Sequence, residues 1–145
     1  MLIQPYLFFD GRCDEAIEFY KKAIGAEVAM LMRWKDSPEK SMCTPANENK
    51  VMHSCLKIGD TNVMASDGRN TGNPKFDGFA LSLDVKTDAD AATRFKALSD
   101  GGDVVMPMGP TFFASSFGMV RDRFGVHWMV LKAKWARTQT QGGGR

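Results

Sequence analysis

The stretch FYKKAIGAEVAM, residues 19–30, recurs as FKALSDGGDVVM, residues 95–106, and this recurrence decides the fold. The two stretches align without a gap, so that a phenylalanine, a glycine, an acidic residue and a methionine occupy matching places. In each copy apolar residues at helical spacing end at the glycine, a common signal for the end of a helix. The β-branched residues that follow predict a strand. We therefore expect one structural unit to occur twice in the chain.

The elements predicted around the two stretches follow one order: a strand, a helix and then three strands. In the first half the predicted ranges are residues 3–9, 13–24, 27–34, 51–58 and 61–66, and in the second half they are 79–85, 88–99, 103–106, 115–121 and 126–131. Alternating polarity marks the strands, and apolar residues three and four apart mark the helices. The predicted fold class is α+β, with two tandem βαβββ modules that form a curved, mostly antiparallel sheet around a cavity.

We expect a single structural domain built from these two modules. The first module spans residues 1–70 and the second spans residues 71–133. Residues 134–145 end in QTQGGGR and are predicted to form a disordered tail. The polar segment of residues 35–50 is longer than an ordinary connection, so it is either a lid over a site or a mobile connector.

Composition limits the classes of partner that this chain is expected to bind. The net charge is +2 and the basic residues form no stripe, so no nucleic-acid partner is expected. No apolar run is long enough to cross a bilayer and the N-terminus lacks the pattern of a signal peptide, so no membrane partner is expected. Cys13, Cys43 and Cys55 are widely spaced and form no C-x-x-C motif, which favours a reducing, cytoplasmic setting.

Small side chains on one face of the predicted strands leave room for a cavity, which is the usual kind of ligand site. The predicted cavity is lined by Leu7, Phe9, His53, Cys55, Ala65, Ala80, Ser82, Phe113, Phe117, His127 and Met129. His53 is the candidate catalytic residue, because an imidazole in a cavity can act as a base or orient a ligand. The alternative for His53 is a half-buried ring bonded to a backbone carbonyl.

Several motifs resemble the PhnB-like family of the vicinal oxygen chelate superfamily, which includes glyoxalase I, bleomycin-resistance proteins and extradiol dioxygenases. The motifs that carry the resemblance are PYLFFDG at residues 5–11, AIEFY at 16–20, His53, IGD at 58–60, MASD at 64–67, Gly78-Phe79, and F-G-x-x-x-D-x-F-G-V-x-W at 117–128. The resemblance covers residues 3–133 and implies paired βαβββ modules, and commonly a homodimer.

In metal-using members of that superfamily, ligands stand on the first and last strands of each module. Carried over by position, the resemblance puts these places at Pro5, Ala65, Gly78 and Met129, none of which can bind a divalent ion through its side chain. We therefore expect neither a bound metal nor another cofactor.

Three functions are compatible with this sequence. The first is a metal-free small-molecule binding protein whose ligand is unknown. The second is an enzyme of the same superfamily, a lyase, isomerase or dioxygenase with relocated metal ligands or a mechanism based on His53. The third is a structural or interaction protein whose cavity is filled by side chains.

Overall fold

The computed structural model describes residues 1–135, so residues 136–145 of the expected tail lie outside the described part of the chain. The chain divides into two compact units, Met1–Phe76 and a second unit that begins at Asp77. Within the described residues, no helix is both long and apolar enough to cross a membrane.

Both units have the predicted order of elements. The first unit contains β1 (Tyr6–Phe8), α1 (Cys13–Ile24), β2 (Glu27–Arg33), β3 (Val51–Ile58) and β4 (Thr61–Ser66). The second contains β5 (Leu81–Asp84), α2 (Asp88–Ser99), β6 (Asp103–Gly109), β7 (Ala114–Arg121) and β8 (His127–Ala133). Each unit has its own four-stranded sheet, in the order β1-β4-β3-β2 and β5-β8-β7-β6. The α+β fold of two βαβββ repeats is therefore confirmed.

Of the strands that differ in length from the prediction, β1 and β6 differ at a proline. β1 is shorter than residues 3–9, because Pro5 has no N–H to donate to a sheet ladder. β6 continues through Pro107 as far as Gly109. A proline is tolerated there because β6 is an edge strand, with β7 as its partner in the sheet.

The sequence repeat is also a repeat of strand register. The pairing of β2 with β3 shifts between Val28 and Met30, and the pairing of β6 with β7 shifts between Val104 and Met106. These shifts fall at matching places of the two aligned stretches, and a shift of this kind marks an extra, unpaired residue in the edge strand. The duplicated stretch therefore carries the same irregularity in both sheets.

The two helices begin in different ways. Thr87 caps α2, because its hydroxyl accepts a hydrogen bond from the Asp90 N–H at 3.0 Å, as a capping box predicts. The N-cap residue of α1, Arg12, makes no capping side-chain hydrogen bond. α1 ends as predicted at Gly25, whose positive φ of 70° suits glycine.

Each sheet packs one face against the helix of its own unit. In the first unit the ring of Phe9 lies 6.0 Å from that of Tyr20 on α1 and 5.3 Å from that of Phe76. In the second unit Phe95 of α2 lies over Gly118 of β7. We call the opposite face of each sheet its open face, and the candidate site is built on that face of the first sheet.

The segment of residues 35–50 is closed at its base. The N–H groups of Trp34 and Lys35 donate to the carbonyl groups of Lys50 and Glu48, at 3.1 and 3.0 Å. Arg33 adds two hydrogen bonds of 2.9 Å to the carboxylate of Asp14. The two ends of the segment are thus tied together and to α1.

Candidate functional site

Matching rows of four residues cross the open faces of the two sheets. In the first sheet Met30 pairs with Cys55, Cys55 with Met64, and Met64 with Tyr6. Residues that pair directly across strands share a face, so these four side chains form one row. The second sheet has the equivalent row Met106, Met119, Met129 and Ser82.

Three rings lie together on the open face of the first sheet, and we call them the aromatic array: Phe8, Tyr6 and His53. The Tyr6 hydroxyl lies 2.9 Å from Nδ1 of His53, at hydrogen-bond distance. The ring centroids of Tyr6 and His53 are 5.5 Å apart, and those of Tyr6 and Phe8 are 4.9 Å apart. Tyr6 and His53 are half-buried, whereas Phe8 is 57% exposed.

A pocket of about 420 Å³ opens at the Phe8 end of the array. It is lined by Phe8, Asp10, Gly68, Arg69, Asn73 and Lys75. Gly68 has a φ of +59°, and a Cβ there would lie 3.3 Å from the Phe8 ring, so the turn passes close beside that ring. The volume is within the range of ordinary small-molecule sites.

Asp10 holds the far wall of this pocket in place. Its Oδ1 accepts a hydrogen bond of 2.9 Å from the Thr71 N–H, and its Oδ2 accepts one from the Thr71 hydroxyl. These hydrogen bonds, with a smaller contribution from the charge of Arg69, hold the pKa of Asp10 below its ordinary value. Asp10 is therefore ionised near neutral pH, and Thr71 already occupies both of its oxygens.

Two buried carboxylates have structural roles. Asp67 accepts hydrogen bonds from the N–H groups of Cys13 at 2.8 Å and Val51 at 2.6 Å, so it caps α1 from the end of β4. Asp122 accepts from two N–H groups of its own turn, at 2.9 and 3.0 Å, and from Trp128 Nε1 at 2.9 Å. Asp67 belongs to the MASD motif and Asp122 to the motif of residues 117–128. The oxygens of both side chains accept hydrogen bonds that stabilise the fold.

The predicted cavity residues of the first unit lie on two different faces. His53 and Cys55 are on the open face. Leu7 and Ala65 are paired in register on the opposite face and are buried, and Phe9 is buried against Tyr20. The structure therefore does not bring Leu7, Phe9 and Ala65 together with His53, because the strand alternation places them towards α1.

The predicted cavity residues of the second unit lie on or beside the open face of their own sheet. Ser82 pairs with Met129, and His127 pairs with Arg121 in the same sheet. The Phe113 and Phe117 rings are in contact, with centroids 5.3 Å apart. Ala80 directly precedes β5.

Sequence reasoning missed Tyr6, Phe8 and the two pocket cations, Arg69 and Lys75. Residues 5–9 are apolar or aromatic at every position, so alternation alone does not say which residues face the helix. The partner of His53 is the Tyr6 hydroxyl, a side chain, and not the backbone carbonyl of the alternative interpretation. This pair would have been found by considering both orientations of β1, one with Leu7 and one with Tyr6 on the face that carries His53.

The open faces do not fit a divalent metal with nitrogen and oxygen ligands. Ala65 faces the helix, and in the rows of four residues the first and last strands contribute Tyr6, Met64, Ser82 and Met129. Two of these side chains are thioethers and two are hydroxyls, a poor set for a hard divalent ion. Within residues 1–135, no group of three or more His, Cys, Asp or Glu side chains could hold a metal.

Comparison with known proteins agrees with the duplicated fold. A sequence model of the family described as 3-demethylubiquinone-9 3-methyltransferase matches residues 2–131. Protein YjdN of Escherichia coli K12 is 31% identical over 147 residues, which cover 96% of this chain and 100% of YjdN.

Solved structures show the same likeness. Protein PA1353 of Pseudomonas aeruginosa is 41% identical with a TM-score of 0.79, and the match covers 92% of this chain and 98% of that protein. The PhnB protein of Bacillus cereus is 26% identical with a TM-score of 0.76, over 92% of this chain and 100% of that protein. A glyoxylase/bleomycin resistance protein/dioxygenase domain from Frankia shares the fold alone, at 13% identity and a TM-score of 0.62, over 91% of this chain and 94% of that domain.

Proposed function

The chain belongs to the PhnB-like family of the vicinal oxygen chelate superfamily, and on this premise we propose that it binds a small molecule at the aromatic array and adjoining pocket of its first unit. The observation that carries the proposal is the half-buried Tyr6–His53 pair, joined at 2.9 Å and continuous through Phe8 with a pocket of about 420 Å³. An apolar ring face beside a few fixed polar groups is the usual composition of a ligand site.

Within this proposal each member of the array has a distinct part. Phe8 supplies a ring face for stacking, and the Tyr6–His53 hydrogen bond holds both polar rings in one orientation. His53 Nε2 makes no hydrogen bond to any residue of the described chain, so it is available to a ligand atom. A ligand on the array would thus gain both apolar contact and a directed hydrogen bond.

The proposal does not extend to methyl transfer, although the matching family model carries that description. Binding of S-adenosylmethionine is expected to use a glycine-rich turn between a strand and a helix. The connection between β1 and α1 holds one glycine, Gly11, and the connection between β5 and α2 holds none. We also propose binding without a divalent metal, since the first and last strands contribute thioethers and hydroxyls to the rows of four residues on the open faces.

A cytoplasmic location and a homodimer belong to the same proposal. All three cysteines are free thiols, which agrees with a reducing compartment. Val104, Val105 and Met106 are exposed on edge strand β6 and offer apolar surface to a second copy. Light scattering on a size-exclusion column measures the mass, and a monomer at micromolar concentration would contradict the dimer.

The test of binding is a thermal-shift screen of aromatic and heteroaromatic compounds, followed by calorimetric titration of the hits. We expect His53→Gln and Phe8→Ala to weaken binding by about tenfold each without lowering the melting temperature, because both side chains are at least partly exposed. His127→Gln and Phe112→Ala are the matched controls, since both residues lie in the second unit.

The outcomes separate the site from its alternatives. Equal loss of affinity in His53→Gln and His127→Gln would contradict a site confined to the first unit. Affinity that disappears after dialysis against a chelator and returns with zinc or manganese would overturn metal-free binding.

A second candidate is catalysis with His53 as a general base, which is favoured by the Tyr6 hydroxyl at Nδ1. The hydroxyl would orient the ring, and Nε2 would take the proton. Each compound that binds is incubated with the protein and followed by mass spectrometry. Conversion that His53→Gln abolishes supports catalysis, and bound compounds that all stay unchanged contradict it.

A further inference from the structure

We propose that the pocket beside Phe8 recognises the anionic group, a carboxylate or a phosphate, of a ligand whose planar apolar part stacks on Phe8. This inference rests on the proposed function, because it names the class of ligand that the first unit would bind. It is carried by the two cations of the pocket wall, Arg69 and Lys75.

The charges around the pocket favour an anion. Arg69 and Lys75 both line it, and neither forms an ion pair with a carboxylate of the described residues. The acidic residue in the wall, Asp10, already accepts hydrogen bonds from the N–H and hydroxyl of Thr71. The wall therefore contains two positive charges and one negative charge, and the negative charge is already hydrogen-bonded to Thr71. Its net charge is positive.

The donors of the wall suit a flat or tetrahedral oxyanion. A guanidinium group can donate two parallel hydrogen bonds to a carboxylate or phosphate, and an ammonium group adds a flexible third donor. The side-chain amide of Asn73 lines the same pocket and can donate as well. An uncharged ligand would leave this set of charged donors without a matching acceptor.

The apolar part of the ligand is placed by Phe8. Its ring is 57% exposed, lines the pocket and touches the Tyr6 ring, with 4.9 Å between the centroids. An exposed phenyl ring next to cations gives one end of a ligand an apolar surface and the other end a charged one. The pocket therefore favours a ligand with one apolar end and one anionic end over an inorganic anion.

The experiment titrates the full chain with 2-naphthoate, 2-naphthyl phosphate, neutral 2-naphthamide and inorganic phosphate. We expect at least one of the two naphthyl anions to bind about tenfold or more tightly than the amide, because hydrogen bonds to charged groups are the stronger ones. The tighter of the two anions identifies the favoured oxyanion, and its affinity should fall as salt is added. Inorganic phosphate should bind more weakly than either, because it lacks a ring for Phe8.

Variants separate the two parts of the site. The double change Arg69→Gln and Lys75→Gln should remove the preference for the anions and leave binding of the amide unchanged. Phe8→Ala should weaken both, and Lys22→Gln, which removes one positive charge from the exposed face of α1, is the control and should leave the preference for the anions unchanged.

Each outcome decides between the two proposals. Equal affinity for naphthoate, naphthyl phosphate and naphthamide would overturn the anion inference and leave small-molecule binding standing. A preference for anions that survives the double change would also overturn it. No binding of any naphthyl compound would contradict both the inference and binding at the Phe8 array.

Discussion

At the scale of single residues, Asp67 connects three separate parts of the first unit. Its side chain is fully buried at the end of β4 and accepts hydrogen bonds from the first residue of α1 and the first residue of β3. A carboxylate accepts with both oxygens, whereas an amide accepts with only one. Only a side chain with two acceptor oxygens, such as aspartate, can therefore accept hydrogen bonds from both of these N–H groups.

Replacing Asp67 by asparagine should destabilise the fold by about 2–4 kcal/mol, because one N–H would face an NH₂ group in a buried place. Urea unfolding followed by circular dichroism measures the loss. Asp60→Asn, on the exposed turn between β3 and β4, is the control and should change stability by less than about 0.5 kcal/mol. A similar small change for Asp67→Asn would show that the buried carboxylate has no such role.

At the scale of elements, the contact between α2 and β7 depends on the absence of a side chain at Gly118. A Cβ at that position would lie 2.7 Å from Cε1 of Phe95 and 3.2 Å from the Cα of Met108. Such distances require the helix or the neighbouring strand to move. The glycine thus sets how closely the helix approaches the sheet in the second unit.

Gly118→Ala should therefore destabilise the protein by about 1–3 kcal/mol, the usual range for overpacking. Thermal unfolding measures the change, and Gly109→Ala is the matched control, since no atom lies within 4 Å of a Cβ built there. In a Phe95→Leu background the cost of Gly118→Ala should shrink, because the clashing ring is gone. An undiminished cost in that background would assign the strain to the backbone of β6 instead.

At the scale of the whole molecule, stability depends on pH through a buried thiol. Burial, with the nearby charges of Asp67 and Asp14, raises the pKa of Cys13 from its ordinary value of 9.0 to about 12. Between these values the unfolded chain loses the thiol proton and the folded chain keeps it. The unfolded state is therefore favoured increasingly as pH rises from about 9 towards 12.

We expect the free energy of unfolding to fall across this alkaline range more steeply in the wild type than in Cys13→Ala. Lysines and tyrosines titrate in the same range, so the difference between the two proteins isolates the thiol. Urea unfolding at a series of pH values gives both curves. Parallel curves would mean that Cys13 ionises equally easily in both states.

The same scale shows what sequence can and cannot predict for this chain. The repeat was predictable because its signals are local: the glycine after α1, the acidic residue and the β-branched run. The pocket was not, because Asp10 meets Thr71 only through long-range packing, and the cap that Asp67 provides for α1 was hidden for the same reason. The side of β1 that packs against the helix could not be predicted either, because Tyr6 and Leu7 are both apolar enough to lie in a core.

The shared register of the two open-face rows has a consequence for substitutions on either face. The same irregularity in β2 and β6 accompanies the same strand alignment in each copy, although the residues on the two open faces differ. One copy carries Tyr6 and Cys55 where the other carries Ser82 and Met119. The repeated scaffold thus presents two surfaces whose residues already differ, so that a substitution on one open face leaves the other unaltered.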